Sequence, residues 1–296
     1  TCTATNWPVL LNGYDIKWVD VDPNTCNMDM DDCMRKLSPN TRIVYVMHWG
    51  GYPVDYAKLE AVLEKCHDMY SFRPVVIEDC AHAFGSTYTY GESGKRCLGT
   101  FMGGYATYSF QAIKHVTSVD GGVLLCPDQA SYKRAKLLRW YGIDRESNRK
   151  DFRCEADVSE IGFKFHMNDV SAAVGVENLT AYDNGKRNKF CAEMYNQAFS
   201  WNKEAIRLIP HNKNAAYWLY TMFVDRPEDF MERMKEAGIM VSRVHERNDK
   251  HSCVSQFTCA LPNVDEVCKN MICIPCGSWV IDDDLKYIIE TINKGW

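Results

Sequence analysis

Short apolar runs alternate with amphipathic segments through the first 126 residues, and that alternation constrains the fold more than any other feature. Ile43-Val44-Tyr45-Val46-Met47, Pro74-Val75-Val76-Ile77, residues 105–110 and Val123-Leu124-Leu125-Cys126 read as strands buried in a sheet. Ile16-Lys17-Trp18-Val19-Asp20-Val21 reads as a further strand. Between them, residues 28–37 read as a short helix closed by Ser38-Pro39-Asn40. Residues 56–69 form a longer helix with Leu59, Val62, Leu63 and Cys66 on one face. Strands alternating with helices indicate an α/β fold with a mostly parallel central sheet flanked by helices. Open sheets of this kind place ligands at the carboxyl ends of their strands.

The second half has a different texture. Residues 168–179 are apolar at helical spacing, and a helix is expected from about residue 188. Strands surround residues 218–224, and a helix over 227–237 is stopped by Gly238. A last helix covers 282–292. A chain of 296 residues is long for one small core. The expected division is a large domain over residues 1–180 and a smaller C-terminal α+β domain over 181–296.

Composition removes several function classes. The net charge is -5 and no basic block is present, so neither nucleic acid nor an anionic membrane is an expected partner. No apolar run approaches the ~20 residues that cross a bilayer. The opening Thr1-Cys2-Thr3-Ala4-Thr5-Asn6-Trp7 lacks the cationic start and apolar core of a signal peptide. The fourteen cysteines are scattered, often inside apolar stretches, as at Cys66, Cys80, Cys126 and Cys273. Free thiols of that kind are small hydrophobes, and a reducing cytoplasm is the expected setting. Cys259, Cys268, Cys273 and Cys276 include one CxxC, filled by Ile274-Pro275. A zinc site needs a second ligand pair, so buried thiols are expected there and no metal.

Three strand ends carry the polar residues. Ile77-Glu78-Asp79-Cys80-Ala81-His82-Ala83 puts a carboxylate directly after a buried strand, where it needs a cationic partner or caps a following helix. In Tyr108-Ser109-Phe110-Gln111-Ala112-Ile113-Lys114-His115 a strand runs into a lysine five residues after a serine. Val119-Asp120-Gly121-Gly122-Val123 offers two glycines for close backbone approach before a new strand. Together they suggest one chemistry. Pyridoxal phosphate needs an amine for its aldehyde, an acid facing its ring nitrogen and donors for its phosphate. Lys114, Asp79 and Ser109 supply these in turn. A carboxylate beside the ring nitrogen keeps that nitrogen protonated, so the ring can accept electrons. A freed lysine can then shuttle a proton.

At these residues the chain resembles the DegT-type sugar-nucleotide aminotransferases, a branch of the fold-type-I pyridoxal-phosphate enzymes. The matching stretches are TCTATN, VDVDPNT, VMHWGGYPVD, IEDCAHAFG, YSFQAIKHVTSVDGGVLL, LLRWYGI and GFKFHMNDVSAAVGVENL, in order and densest over 1–180. The resemblance implies that Lys114 is the Schiff-base lysine and that Asp79 pairs with the pyridine nitrogen. It places His82 near the phenolic oxygen, Ser109 on the phosphate, Ala81 against a ring face and Thr5 along the cofactor. It implies a homodimer with shared sites, in which the segment matching 162–167 reaches the neighbouring subunit.

Three departures stand out. Cys2 falls where some relatives stack an aromatic on the ring. Lys164 and His166 stand where the resemblance implies an asparagine that meets the phosphate. Family elements preceding the TCTATN stretch, including a turn that cups the phosphate, have no counterpart, so the chain is expected to be truncated at its N-terminus.

The resemblance also implies that residues 243–249 approach the substrate, with Arg243 and His245 as contacts; a charged surface loop is the other reading. Trp49, Tyr52 and Trp140 either stack on a nucleotide base or lie buried. No GxSxG elbow supports a hydrolase, and no GxGxxG follows a strand as in a dehydrogenase. The expected reaction moves an amino group from an amino acid, glutamate above all, to a keto-sugar nucleotide for polysaccharide or glycan synthesis. Two alternatives are a sugar dehydratase, which would carry His in place of Lys114, and a non-catalytic regulatory relative or fragment.

Overall fold

The computed structural model describes residues 1–89, 91, 94–146 and 157–296. Helix α1 (Thr3–Leu11) leads into an extended segment and α2 (Met30–Lys36), whose N-cap Asp29 accepts from the Asp31 and Asp32 amides. Strand β1 (Ile43–Met47) is followed by α3 (Tyr56–Tyr70), capped by Asp55, and β2 (Val75–Asp79). A small hairpin, β3 (Thr87–Thr89) with β4 (Lys95–Cys97), precedes β5 (Tyr105–Ser109) and β6 (Gly122–Leu125). The sheet runs β1-β2-β5-β6, parallel across the first three strands and antiparallel at β6. Met47, Asp79 and Thr107 share one register row, at the strands' carboxyl ends.

Helices α4 (Gln129–Leu138) and α5 (Asp169–Ala181) follow, then α6 (Lys186–Phe199). The later part holds β7 (Ile206–Leu208), β8 (Tyr220–Val224), α7 (Pro227–Glu236), α8 (Pro262–Asn270), β9 (Met271–Ile274) and α9 (Asp282–Asn293). Its sheet is antiparallel in the order β7-β8-β9. One apolar core gathers α2, α3 and the parallel strands around Tyr56, Leu59, Val62 and Val46. A second gathers α6, β8, α7 and α9 around Tyr195, Phe199, Phe230 and Ile292. Trp49 packs with Phe223, Val267, Met271 and Cys273 in a third cluster that ties the two together.

Two expectations need correction. Residues 16–21 do not form a strand; among the described residues the only ladder contact there is a bridge from Val21 to Met28. The segment spends its polar groups otherwise. The Asp20 amide donates to Asp32 (2.7 Å), and its carboxylate caps α8 by accepting from the Asn263 and Val264 amides (3.0 and 2.9 Å). The strand expected over 74–77 continues to Asp79, because the burial of Glu78 and Asp79 is compensated. Glu78 accepts from His48 Nε2 (3.0 Å), the Gly99 amide (3.2 Å) and the Tyr56 hydroxyl. The Val54 amide donates to His48 Nδ1, leaving Nε2 as the donor. His48, Glu78 and Cys80 form the one cluster of potential metal-ligating atoms among the described residues, and hydrogen bonds already engage its imidazole and carboxylate.

Every cysteine among the described residues is unpaired. In the CxxC, Cys273 Sγ meets Thr221 Oγ1 (3.3 Å) and the Cys276 thiol donates to the Asn188 carbonyl (3.4 Å). No helix among the described residues is long and apolar enough to cross a membrane.

Candidate active site

Asp79 closes β2 with its carboxylate buried. The Thr5 hydroxyl donates to Oδ2 (2.6 Å) and the Ala81 amide to Oδ1 (2.9 Å), so the side chain is held from α1 on one side and by the turn on the other. Ala81 thus contributes its backbone. Two lone-pair directions remain open on the carboxylate.

Lys114 lies in the turn after β5. This turn is fixed by the Lys114 amide donating to the Gln111 carbonyl (2.9 Å) and the Ser118 amide to Phe110 (2.8 Å). The glycine pair behaves as the sequence suggests. A Cβ on Gly122 would lie 2.5 Å from the Tyr108 carbonyl, and one on Gly121, at φ 153°, 2.5 Å from Ser118 Oγ. Neither position accepts a side chain without moving the turn. Ser109, at the end of β5, accepts from the Gln111 amide (3.3 Å) and keeps its hydroxyl hydrogen free to donate.

The Lys114 amine sits 3.7 Å from the centre of the Trp218 ring. Burial pulls its pKa down to about 8, against the opposing attraction of Asp79. His82 is fully buried, stacks on Trp218 (centroids 3.9 Å, 29°) and lies parallel to His245 (5.9 Å, 9°). Its pKa falls well below the usual imidazole value, first through burial and then through Lys114. Burial, with a contribution from Lys114, likewise takes His245 down to about 4. Both rings are therefore neutral near pH 7. His82 Nδ1 and His245 Nε2 are buried and have no hydrogen-bond partner among the described residues. Such atoms are costly unless a ligand satisfies them.

The structure thus brings Lys114, Asp79, Thr5, Ala81, His82 and His245 into one region. It separates Arg243, which pairs with Glu228 (2.7 Å) and donates to the Lys269 carbonyl (3.4 Å). Lys164 and His166 gather on Trp140 instead, with Lys164 Nζ 4.6 Å and the His166 ring 4.0 Å from the indole centre. Of the three aromatics, Trp49 is buried and donates Nε1 to Thr221 (2.9 Å), Tyr52 is half-buried, and Trp140 carries Arg145 as well as Lys164 on its faces.

Sequence reasoning missed Trp218 and the anchoring role of His115. His115 donates Nε2 to the Ala216 carbonyl (3.1 Å), and burial lowers its pKa to about 4. Both contacts span about a hundred residues, and no local pattern announces them.

The model of the DegT/DnrJ/EryC1/StrS aminotransferase family matches residues 1–293. The sugar aminotransferase CalS13 from Micromonospora echinospora superposes with a TM-score of 0.92 at 40% identity, covering 100% of this chain and 79% of that one. The UDP-4-amino-4,6-dideoxy-N-acetyl-beta-L-altrosamine transaminase of Campylobacter jejuni is 23% identical, over 100% of this chain and 79% of its own. The dTDP-4-dehydro-2,3,6-trideoxy-D-glucose 4-aminotransferase of Saccharopolyspora spinosa is 26% identical, over 93% and 71% respectively.

Proposed function

Because the chain belongs to the DegT/DnrJ/EryC1/StrS aminotransferase family and is a pyridoxal-phosphate-dependent aminotransferase, we propose that Lys114 is its cofactor lysine and that it aminates a keto-sugar nucleotide. The observation that carries this reading is the Lys114 amine. It is part-buried, has no carboxylate partner among the described residues, and lies within the electrostatic reach of buried Asp79.

The residues present fit the cofactor. The open lone pairs of Asp79 suit the ring nitrogen, the orphan Nδ1 of His82 suits the phenolic oxygen, and the free hydroxyl hydrogen of Ser109 suits the phosphate. When bound, pyridoxal phosphate supplies an aldehyde and a ring that accepts electrons from the carbon being deprotonated. The chain's own work is positional and acid–base. Thr5 and Ala81 hold Asp79 so that its carboxylate need not reorganise. With a pKa of about 8, Lys114 Nζ can take a proton and return it near neutral pH. Neutral His82 hydrogen-bonds without adding a second positive charge beside Lys114.

The substrate class rests on two relatives acting on a UDP-linked and a dTDP-linked sugar. The neutral lining beside Lys114 agrees with it. Trp49 and the imidazoles of His82 and His245 suit the C–H faces and hydroxyls of a sugar. The amino donor is an amino acid, with glutamate as the first to test.

The functional protein is a homodimer in this reading. Helix α5 buries none of its residues although it reads Asp-Val-Ser-Ala-Ala-Val-Gly-Val-Glu-Asn-Leu-Thr-Ala. Beside it Phe163 and Phe165 stack on each other (4.9 Å, 5°) while exposed. A second copy over this face would bring Lys164 and His166 to the neighbouring site's phosphate end. In this reading the protein works in the cytoplasm, where activated sugars are made.

The test is spectroscopic and chemical. Protein mixed with pyridoxal phosphate should gain a visible band that borohydride fixes to the Lys114 peptide. With glutamate and a panel of UDP- and dTDP-linked keto sugars, mass spectrometry should detect the amino sugar. A Lys114→Ala protein that keeps the same band would refute the assignment.

A further inference from the structure

Three consecutive residues of the lysine turn are held by two residues of the later part of the chain, Ala216 and Trp218. Trp218 Nε1 donates to the Ile113 carbonyl (2.8 Å). The Trp218 ring lies under Lys114 Nζ at 3.7 Å. His115 Nε2 donates to the Ala216 carbonyl (3.1 Å). The holding segment is itself pinned, since the Ala216 amide donates to buried Ser86 Oγ (3.0 Å), which donates to the Gly51 carbonyl (2.7 Å). The same indole stacks on His82 (centroids 3.9 Å, 29°).

We propose that Trp218 is a positioning residue for Lys114: its ring holds the amine and its Nε1 holds the preceding carbonyl, so the lysine is aimed and kept from bulk water before any cofactor arrives. The significance rests on Lys114 being the cofactor lysine, but the contact does not.

Two opposed effects decide what removing the ring does. The indole face favours the ammonium by an interaction of the cation–π kind. The same ring also shields the amine from water, which favours the neutral amine. Burial outweighs the attraction of Asp79 and Cys2 in lowering the Lys114 pKa, and the indole is part of that cover, so we expect shielding to be the larger effect of the ring. The charged or titratable groups facing the amine are Asp79 and Cys2, which favour the ammonium, and His82, His115 and His245, which are neutral near pH 7. His82 stacks on the indole, and losing that cover would raise its pKa toward the ordinary imidazole value of about 6.5, which leaves it neutral at pH 7.5 and above.

The experiment uses the full chain without cofactor. Modification of Lys114 by trinitrobenzenesulfonate, which attacks only neutral amines, is followed by peptide mass spectrometry from about pH 6 to about pH 11. The wild-type rate should rise with a midpoint at about 8. Trp218→Leu should move the midpoint toward the ordinary lysine value of about 10.4. At pH 7.5 the neutral fraction would then fall about a hundred-fold or more. Trp218→Phe keeps a ring face and should stay within about one unit of wild type.

A Trp218→Leu protein that keeps the wild-type midpoint would overturn the proposal. If that variant does not fold, fluorescence decides. The difference in emission between wild type and Trp218→Phe should titrate with the labelling midpoint, and the step should vanish in Lys114→Met. No step in the wild type overturns the proposal equally. Either failure leaves the borohydride-fixed cofactor band untouched, so it is distinguishable from failure of the Lys114 assignment.

Discussion

Replacing Val170 and Val176 together by serine should convert the proposed dimer to monomers. Both lie on α5, at 75% and 60% exposure, about one and two-thirds turns apart. Complete burial of a valine side chain is worth about 1.5–3 kcal/mol. The exposed parts of the two together exceed one whole side chain, giving about 2–4 kcal/mol per protomer if a second copy covers them. A two-fold interface uses each surface twice, so about 4–8 kcal/mol is lost per dimer. At the lower bound the dissociation constant rises about a thousand-fold. Serine and valine have similar helix propensities, so α5 itself should persist. Its anchor also survives, since Asn178 Nδ2 donates to the Thr117 carbonyl (2.9 Å) away from both sites. Sedimentation equilibrium of wild type and variant measures the constant, with circular dichroism as the folding control. An unchanged constant, or a wild type that is monomeric at micromolar concentration, would refute the reasoning.

If the site takes Lys114 from one protomer and Lys164 from the other, co-refolding Lys114→Ala with Lys164→Ala should restore activity that neither homodimer has. Random pairing gives half heterodimers with one intact site each, so recovery of about one quarter of wild-type activity is expected; no recovery means the site is built within one chain. Acid should destabilise the protein through its neutral histidines. The folded pKa values of His115 and His245, at about 4, lie below the ordinary imidazole value, so only the unfolded chain gains protons there as pH falls. Stability is full above about pH 6.5 and declines toward about pH 4, by roughly 3 kcal/mol for the two after halving for their partial exposure. Urea midpoints across that range check it; His115→Gln with His245→Gln should flatten the decline.

The residues of the site that were legible in the sequence are those fixed by local backbone. Asp79, Ser109 and Lys114 each follow a buried strand, and a parallel sheet brings neighbouring strand ends together whatever else the chain does. The glycine pair was legible for the same reason. What the sequence hides is set by contacts across the chain. Arg243 and His245 are two residues apart, in one polar run. Yet Val244 adopts a left-handed conformation (φ 65°) between them, and the two side chains part, one to Glu228 and one to His82. Alternation in a strand would have put them on the same side. Likewise 16–21 has the composition of a strand, but Asp20 is committed to the amides of α8, more than two hundred residues away.

These two kinds of contact divide the site by origin. The early strands supply the amine, the carboxylate and one imidazole. The later segments 216–218 and 243–245 supply the indole, the second imidazole and the hydrogen bonds that fix the lysine turn. The low pKa of Lys114 arises first from burial, and the indole that covers it comes from the later part of the chain. The amine is therefore tuned only when both parts are docked. An isolated early part would keep Asp79, Ser109 and Lys114 in sequence but expose the amine to water, where it would hold its proton at neutral pH and react poorly with an aldehyde.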